Sequence, residues 1–233
     1  MTTVRLVRAT RLTQIVIALS ITLIVFSATF LLIRYASLPS LLVVRFRPDG
    51  FPNGWQYKTY PRVLMPVFVQ LALAITLGAI GTLLLSRPHG THDEDAPDVK
   101  AAAAAAEAVA LLTLIWVGFQ AYVAVALAAM WQRERAGLGW YGYLAVVGVI
   151  ITVLVSVRAH VRLGHPAPRP FVSEHWRFGQ LYKNAADPAL FVPTRNGRRW
   201  TLNFGRPVAA ALLGVILLVG VVAPATILAL LLR

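Results

Sequence analysis

The chain has 233 residues, 58% of them hydrophobic, no cysteine and a formal net charge of +13. With a mean hydropathy of +0.69, this excludes a disordered or collagen-like chain and suits a polytopic membrane protein. The missing cysteine excludes disulfides, thiolate zinc sites and cysteine nucleophiles. The basic excess reads as flanks of membrane helices facing anionic lipid headgroups, so the expected partners are the bilayer and those headgroups, with no nucleic acid.

Five apolar stretches follow, from about Leu12 to Ile33, Val63 to Leu85, Ala108 to Met130, Tyr141 to Val157 and Val208 to Leu232. A hydrocarbon core about 30 Å thick needs roughly 20 helical residues, and lipid offers backbone groups no partner outside the helix. The expected fold class is all-α integral membrane with five transmembrane helices, plus small β-hairpin elements in the first external and last cytoplasmic loops. The organisation reads serially. Residues 1–85 form a helix–loop–helix module, 86–107 an acidic then alanine-rich linker whose Ala101 to Ala106 run reads as a helical extension into the third span, and 108–158 a helical hairpin. Residues 159–207 form a basic β-meander and 208–233 the last span.

Arg5, Arg8 and Arg11 precede the first stretch, which exceeds the roughly 7–15 apolar residues of a cleavable signal and lacks a small-x-small cleavage site. It reads as an uncleaved signal anchor. Placing the N-terminus in the cytoplasm puts Arg87, Lys100, Arg158, Arg162, Arg177, Lys183, Arg195 and Arg199 on the inner side, as the positive-inside rule prefers, with the C-terminus external. Trp131, Trp140, Tyr141 and Tyr143 form an aromatic belt at one interface. Usage rich in alanine, arginine and valine suits a bacterium, so the expected location is the bacterial cytoplasmic membrane.

In the first loop, Leu41 to Phe46 predicts a strand, Pro48-Asp49-Gly50 a turn and Asn53-Gly54 a second turn. Leu38-Pro39, the basic-aromatic pair Arg45-Phe46, then Gly50, Pro52, Gly54-Trp55 and Lys58 resemble a module of SdpI-type bacterial membrane proteins, some of which are immunity factors against peptide toxins. The resemblance spans residues 12–85. Arg45 stands where family members commonly carry histidine, so a metal or proton role for that histidine is not carried over.

In the last loop, Asn196-Gly197 predicts a type I′ hairpin turn because both residues tolerate positive φ, and Asp187-Pro188 marks another turn. Trp176, Gly179, Tyr182, Asn184, Asp187-Pro188, Phe191-Val192-Pro193 and Trp200-Thr201-Leu202-Asn203-Phe204-Gly205 resemble a second module of unknown function, often C-terminal in such proteins. The match is dense over residues 176–207. Neither resemblance implies an established reaction; the pairing implies an SdpI-like protein.

The acidic run His89 to Asp98 lacks the glycine and glutamate spacing of a calcium loop and reads as solvated charge, with no metal or cofactor expected. No ionisable residue lies near the centre of a span; Glu107 sits at the cytoplasmic edge of the third and Arg158 and His160 at the end of the fourth, which argues against a proton-coupled pump. Gln70 and Gln120 are the intramembrane polar candidates. Interhelical hydrogen bonds worth about 0.6 kcal/mol each explain them, and a substrate-lining role is the sharper alternative. Small-residue ridges at Ala74, Gly78 and Thr82, at Gly148, Thr152 and Ser156, and at Ala210 and Gly214 predict close helix packing. The bases and aromatics of the last loop, from Trp176 and Arg177 to Arg199 and Trp200, predict headgroup contacts, and residues 164–207 are also a candidate docking segment for a protein partner.

No paired carboxylates, Ser-His-Asp set, phosphate-binding glycine loop or His-Glu-x-x-His helix appears, so the expected catalytic residues are none. The expected function is a non-enzymatic SdpI-like role in immunity to, or sensing of, a peptide toxin or envelope stress. A small-solute permease or transporter accessory subunit, and a tether for a cytoplasmic regulator, stay open as alternatives.

Overall fold

An apolar run in lipid satisfies its backbone by coiling into a helix, and the chain does this repeatedly. The computed structural model describes residues 5–47, 52–86, 88–89, 97–132, 137–164, 166, 170–197 and 199–217. In chain order the elements are β1 (Arg5–Leu6), α1 (Arg11–Arg34), a 3₁₀ turn (Tyr35–Ser37), β2 (Leu41–Phe46), β3 (Pro52–Tyr57), α2 (Tyr60–Val63), α3 (Met65–Leu85) and β4 (Pro88–His89). They continue with α4 (Pro97–Trp131), α5 (Tyr141–Leu163), a 3₁₀ turn (Ser173–His175), β5 (Trp176–Arg177), β6 (Leu181–Tyr182), β7 (Phe191–Pro193), β8 (Trp200–Leu202) and α6 (Pro207–Leu217).

Among the described residues four helices, α1, α3, α4 and α5, are long and apolar enough to cross a membrane. This is a multi-pass membrane protein. The expected fifth span begins as α6, and its remainder, 218–233, lies outside the described residues. α1 exposes Ile15, Ile17, Ile21, Val25, Phe26 and Ile33, and α5 exposes Val146, Val149, Ile150, Val153, Leu154 and Val161. In water such surfaces would drive aggregation; in hydrocarbon they are the correct exterior. α4 starts at Pro97, so the Ala101–Ala106 run is helical, and four of its alanines (101, 102, 104 and 106) are buried.

The chain forms two compact units, each discontinuous in sequence: Met1–Gln14 with Thr76–Ala110 and Ser156–Arg233, and Ile15–Ile75 with Leu111–Val155. α1, α3, α4 and α5 each give one stretch to each unit.

The second unit is centred on Leu31, Val63, Val67, Ala124, Ala128 and Trp131, with Leu38 and Leu42 brought in from the first connector. β2 pairs antiparallel with β3, Leu41 opposite Tyr57 and Val43 opposite Trp55. Trp131 is turned inward rather than standing in the aromatic belt; its indole N–H donates to the Val43 carbonyl at 2.9 Å, while Trp140 and Tyr143 remain exposed. Asn53-Gly54 is not a turn. Both residues lie in β3, and the register shifts where Gly54 faces Arg45, whose Cβ would stand 3.1 Å from a Cβ placed on the glycine. The glycine serves close approach at a bulge. The expected turn at Pro48-Asp49-Gly50 lies outside the described residues.

The first unit buries Ile80, Leu84, Ala106, Leu190, Ala209 and Leu212 together, beside a smaller group of Val7, Val99 and Ala102. The buried face of α6 is therefore Ala209 and Leu212; Ala210 and Gly214 are exposed, and Gly78 of α3 has no neighbour near its Cβ position. Of the expected glycine contacts only Gly148, in the second unit, meets another helix, with the Trp116 ring 3.8 Å from its Cβ position. A small residue permits close packing but does not require it. Pro66 is the second residue of α3, where a missing N–H breaks no helical bond.

Candidate functional site

The last connector, between α5 and α6, is organised around one buried amide. Asn203 is fully buried, and the two hydrogens of its Nδ2 are shared among the carbonyls of Asn184 (2.8 Å), Asp187 (3.1 Å) and Ala189 (3.2 Å). Its Oδ1 accepts from the backbone N–H of Asn184 (3.0 Å) and Gly205 (2.9 Å). One side chain thus closes the backbone of residues 184–189, which pairs with no strand. Asn184 Oδ1 accepts from Ala186 N–H and Asp187 Oδ1 from Ala189 N–H, two Asx turns, and the Tyr182 hydroxyl donates to Asp187 Oδ2 at 3.1 Å. Gly205 passes so close that a Cβ there would lie 2.4 Å from the Asn184 carbonyl carbon.

The expected meander resolves into two separate antiparallel pairs, β5 with β6 and β7 with β8. Between them the chain spends its hydrogen bonds on Asn203 and the Asx turns rather than on a ladder, and Pro188 has no N–H to give one. Trp200 ties the module to a membrane helix: its indole N–H reaches the Leu163 and Gly164 carbonyls at 3.0 and 3.1 Å, at the C-terminal end of α5. Phe191 packs into the core of the first unit and Pro193 is buried.

The type I′ geometry expected at Asn196-Gly197 occurs at a different hairpin tip. Asn196-Gly197 is not a type I′ turn: residues 194–199 separate Pro193 from Trp200, and of the two residues only Gly197 has positive φ (+67°). The β5–β6 tip carries the type I′ sign pattern instead, with Phe178 at φ +50° and Gly179 at φ +71°, closed by Gln180 N–H to the Arg177 carbonyl. Phe178 is the only non-glycine residue at positive φ among the described residues, and it is 96% exposed. The sequence reading passed over it; a phenylalanine before the motif glycine, at a hairpin tip, was the available signal.

An open groove of about 860 Å³ lies between the two hairpin tips, lined by Trp176, Gly179, Gln180, Thr194, Arg195, Asn196 and Arg199. The guanidinium of Arg195 lies 4.8 Å from the Phe171 ring centroid, and Phe171, Trp176 and Tyr182 continue as a chain of ring contacts.

In the first connector, Lys58 donates through Nζ to the carbonyls of Tyr35 (3.1 Å) and Leu38 (2.8 Å) and lies over the Tyr35 ring. It anchors the base of the β2–β3 pair to the end of α1, where orphan carbonyls favour a cation. Leu42 faces the core, and Leu41, Trp55 and Tyr57 are exposed on the other face at 50%, 60% and 74%. Arg45 and Pro39 are exposed and Pro52 is half-buried; Phe46 ends β2 opposite Pro52, and Gly50 lies outside the described residues.

Two polar clasps bind helices. In the second unit, Gln70 is fully buried, with Nε2 donating to Ser27 Oγ (3.1 Å) and the Val117 carbonyl (3.0 Å), joining α3 to α1 and α4. This is the interhelical hydrogen-bond role; a residue closed off to this degree lines no open path. Gln120 is half-buried. In the first unit, the Glu107 carboxylate, 3% exposed, pairs with Arg158 (2.8 Å) and Arg162 of α5, and accepts from Thr10 Oγ1 at 2.8 Å. Thr10 also caps α1, accepting from Thr13 N–H. Arg158 and Arg162, spaced i, i+4, showed a common face in sequence; Thr10 carried no such signal. No metal cluster forms among the described residues, and of the acidic run residues 90–96 lie outside them.

No protein-family model, curated protein or solved structure matches the chain. The SdpI-like resemblance therefore stands on the residues quoted for it.

Replacing Asn203 with Leu should cost about 3 kcal/mol or more, since five backbone groups lose their partner at once. Gly205→Ala should be comparably damaging through the clash with Asn184, whereas exposed Lys183→Ala should leave thermal unfolding in detergent unchanged. Glu107→Gln should lower stability by about 1–3 kcal/mol, at the smaller end because both guanidiniums reach solvent; the same melt measures it.

Proposed function

We propose that this chain is a non-enzymatic, SdpI-like protein of a bacterial cytoplasmic membrane, with its N-terminus inside, and that it protects the cell against a peptide acting on the envelope. The observation that carries this reading is the first connector. A short strand pair, fastened by Lys58 and Trp131 to two membrane helices, holds Leu41, Trp55 and Tyr57 out on one face. Exposed aromatics on a backbone braced to two helices fit recognition of an amphipathic peptide, because they offer large contact area with little ordering needed on binding. The polar clasps at Gln70 and Glu107 tie helices to one another and supply no pathway, which favours recognition over transport.

Orientation is checked on single cysteines, which the cysteine-free chain makes clean. An impermeant thiol reagent should label Trp55→Cys in intact cells and Phe178→Cys only after lysis; labelling of both in intact cells rejects the arrangement.

Cells lacking the gene should be more sensitive to at least one membrane-active peptide in a broad panel. The wild-type gene should restore resistance, and Trp55→Ala, present in the membrane at equal amount, should not. Unchanged sensitivity across the panel sinks the protective role.

A further inference from the structure

We propose that the groove between the two hairpin tips of the last connector is a seat for the phosphate of an anionic phospholipid, with Phe178 as the wedge that enters the lipid beside it. This rests on the reading that the connector lies against the cytoplasmic leaflet, and is independent of any role for the first connector.

The connector cannot leave the membrane surface. It starts where α5 ends and finishes where α6 begins, and Trp200 binds the last carbonyls of α5. The groove has the chemistry of a phosphate site. Arg195 and Arg199 bring two guanidiniums, Gln180, Thr194 and Asn196 bring neutral polar groups, and among the described residues no carboxylate lines it. The arginines stand on prepared supports. Arg195 lies over Phe171, and the backbone of Arg199 is held by Thr194 at both ends, N–H to Oγ1 at 3.2 Å and carbonyl from Thr194 N–H at 2.8 Å. The same two cations repel a choline group, so the seat selects an anionic lipid over a zwitterionic one.

Phe178 is the independent observation. A bulky residue in the left-handed region is strained, and this one is spent on exposing a whole aromatic ring to the surroundings, next to Gly179 on the groove rim. Neither packing nor turn chemistry explains it, since glycine or asparagine would make the turn without strain. An aromatic held out beside a cationic groove at a bilayer surface is the arrangement of an interfacial anchor.

The test uses purified full-length protein in detergent, with short-chain phosphatidylglycerol, short-chain phosphatidylcholine and glycerol phosphate as probes, and bound species read by native mass spectrometry. Phosphatidylglycerol should bind in preference to the other two. The double variant Arg195→Ala with Arg199→Ala should weaken it about tenfold or more, whereas Arg195→Lys with Arg199→Lys should keep most of the binding. Phe178→Gly should weaken it severalfold while the unfolding temperature stays the same or rises, because the strain is removed with the ring. Equal binding by the double alanine variant overturns the seat. Equal binding of phosphatidylcholine overturns the anionic selectivity, and equal binding of glycerol phosphate overturns a lipid as the occupant. Unchanged binding by Phe178→Gly overturns the wedge. Because lipid binding is measured in vitro and protection in cells, either proposal can fail alone.

Discussion

A backbone N–H or C=O surrounded by hydrocarbon has no water to turn to, and the rest of this structure follows from how the chain meets that demand. α1, α3, α4 and α5 meet it by coiling, with each group bonded within its own helix. Their outer surfaces then need only be apolar, which is why α1 and α5 expose so many large aliphatic side chains without penalty. Their contacts are left to short polar bonds and small residues. Gln70 does that work through its Nε2, which donates to groups of α1 and α4, and Glu107 does it through two arginines of α5 and the cap residue of α1.

The two connectors face a different demand. Too short for a core of their own, they borrow one. The first sends Leu38 and Leu42 into the second unit, and the last sends Leu190, Phe191 and Leu202 into the first. Each is also held by side-chain bonds to backbone carbonyls at a helix end, from Lys58 at the end of α1 and from Trp200 at the end of α5. Helix C-termini leave carbonyls unpaired, so they are natural moorings for donors arriving from a connector. The result in both cases is a surface braced at a helix end that displays aromatics outward, Trp55 and Tyr57 in the first and Phe178 in the last.

Most of the motif residues of the last connector turn out to build rather than to bind. Asn203, Gly205, Asn184 and Asp187 are consumed in closing the backbone, and Trp200 in fastening it. What remains free for chemistry is the rim they hold in place, namely Phe178, Arg195 and Arg199, of which the two arginines stand out in the sequence only as bases among several. Motif residues mark where a fold is demanding, and the surface that the fold presents can lie beside them.

Sequence alone determined the membrane class, the limits of α1 and α3 to within a few residues, the strand Leu41–Phe46 and the helical alanine run, because hydropathy, length and propensity are local properties that lipid amplifies. Glycine misled it: Asn53-Gly54 and Asn196-Gly197 both looked like tight turns, yet one glycine serves a bulge against Arg45 and the other supplies a single positive φ in a longer loop. Those choices are made by the strand across the way, which the local sequence does not contain. The interleaved units, the inward turn of Trp131, the five bonds of Asn203 and the meeting of Thr10 with Glu107 and two arginines were decided only in the tertiary structure. Each depends on which residue, far along the chain, is brought within about 3 Å, the reach of a hydrogen bond.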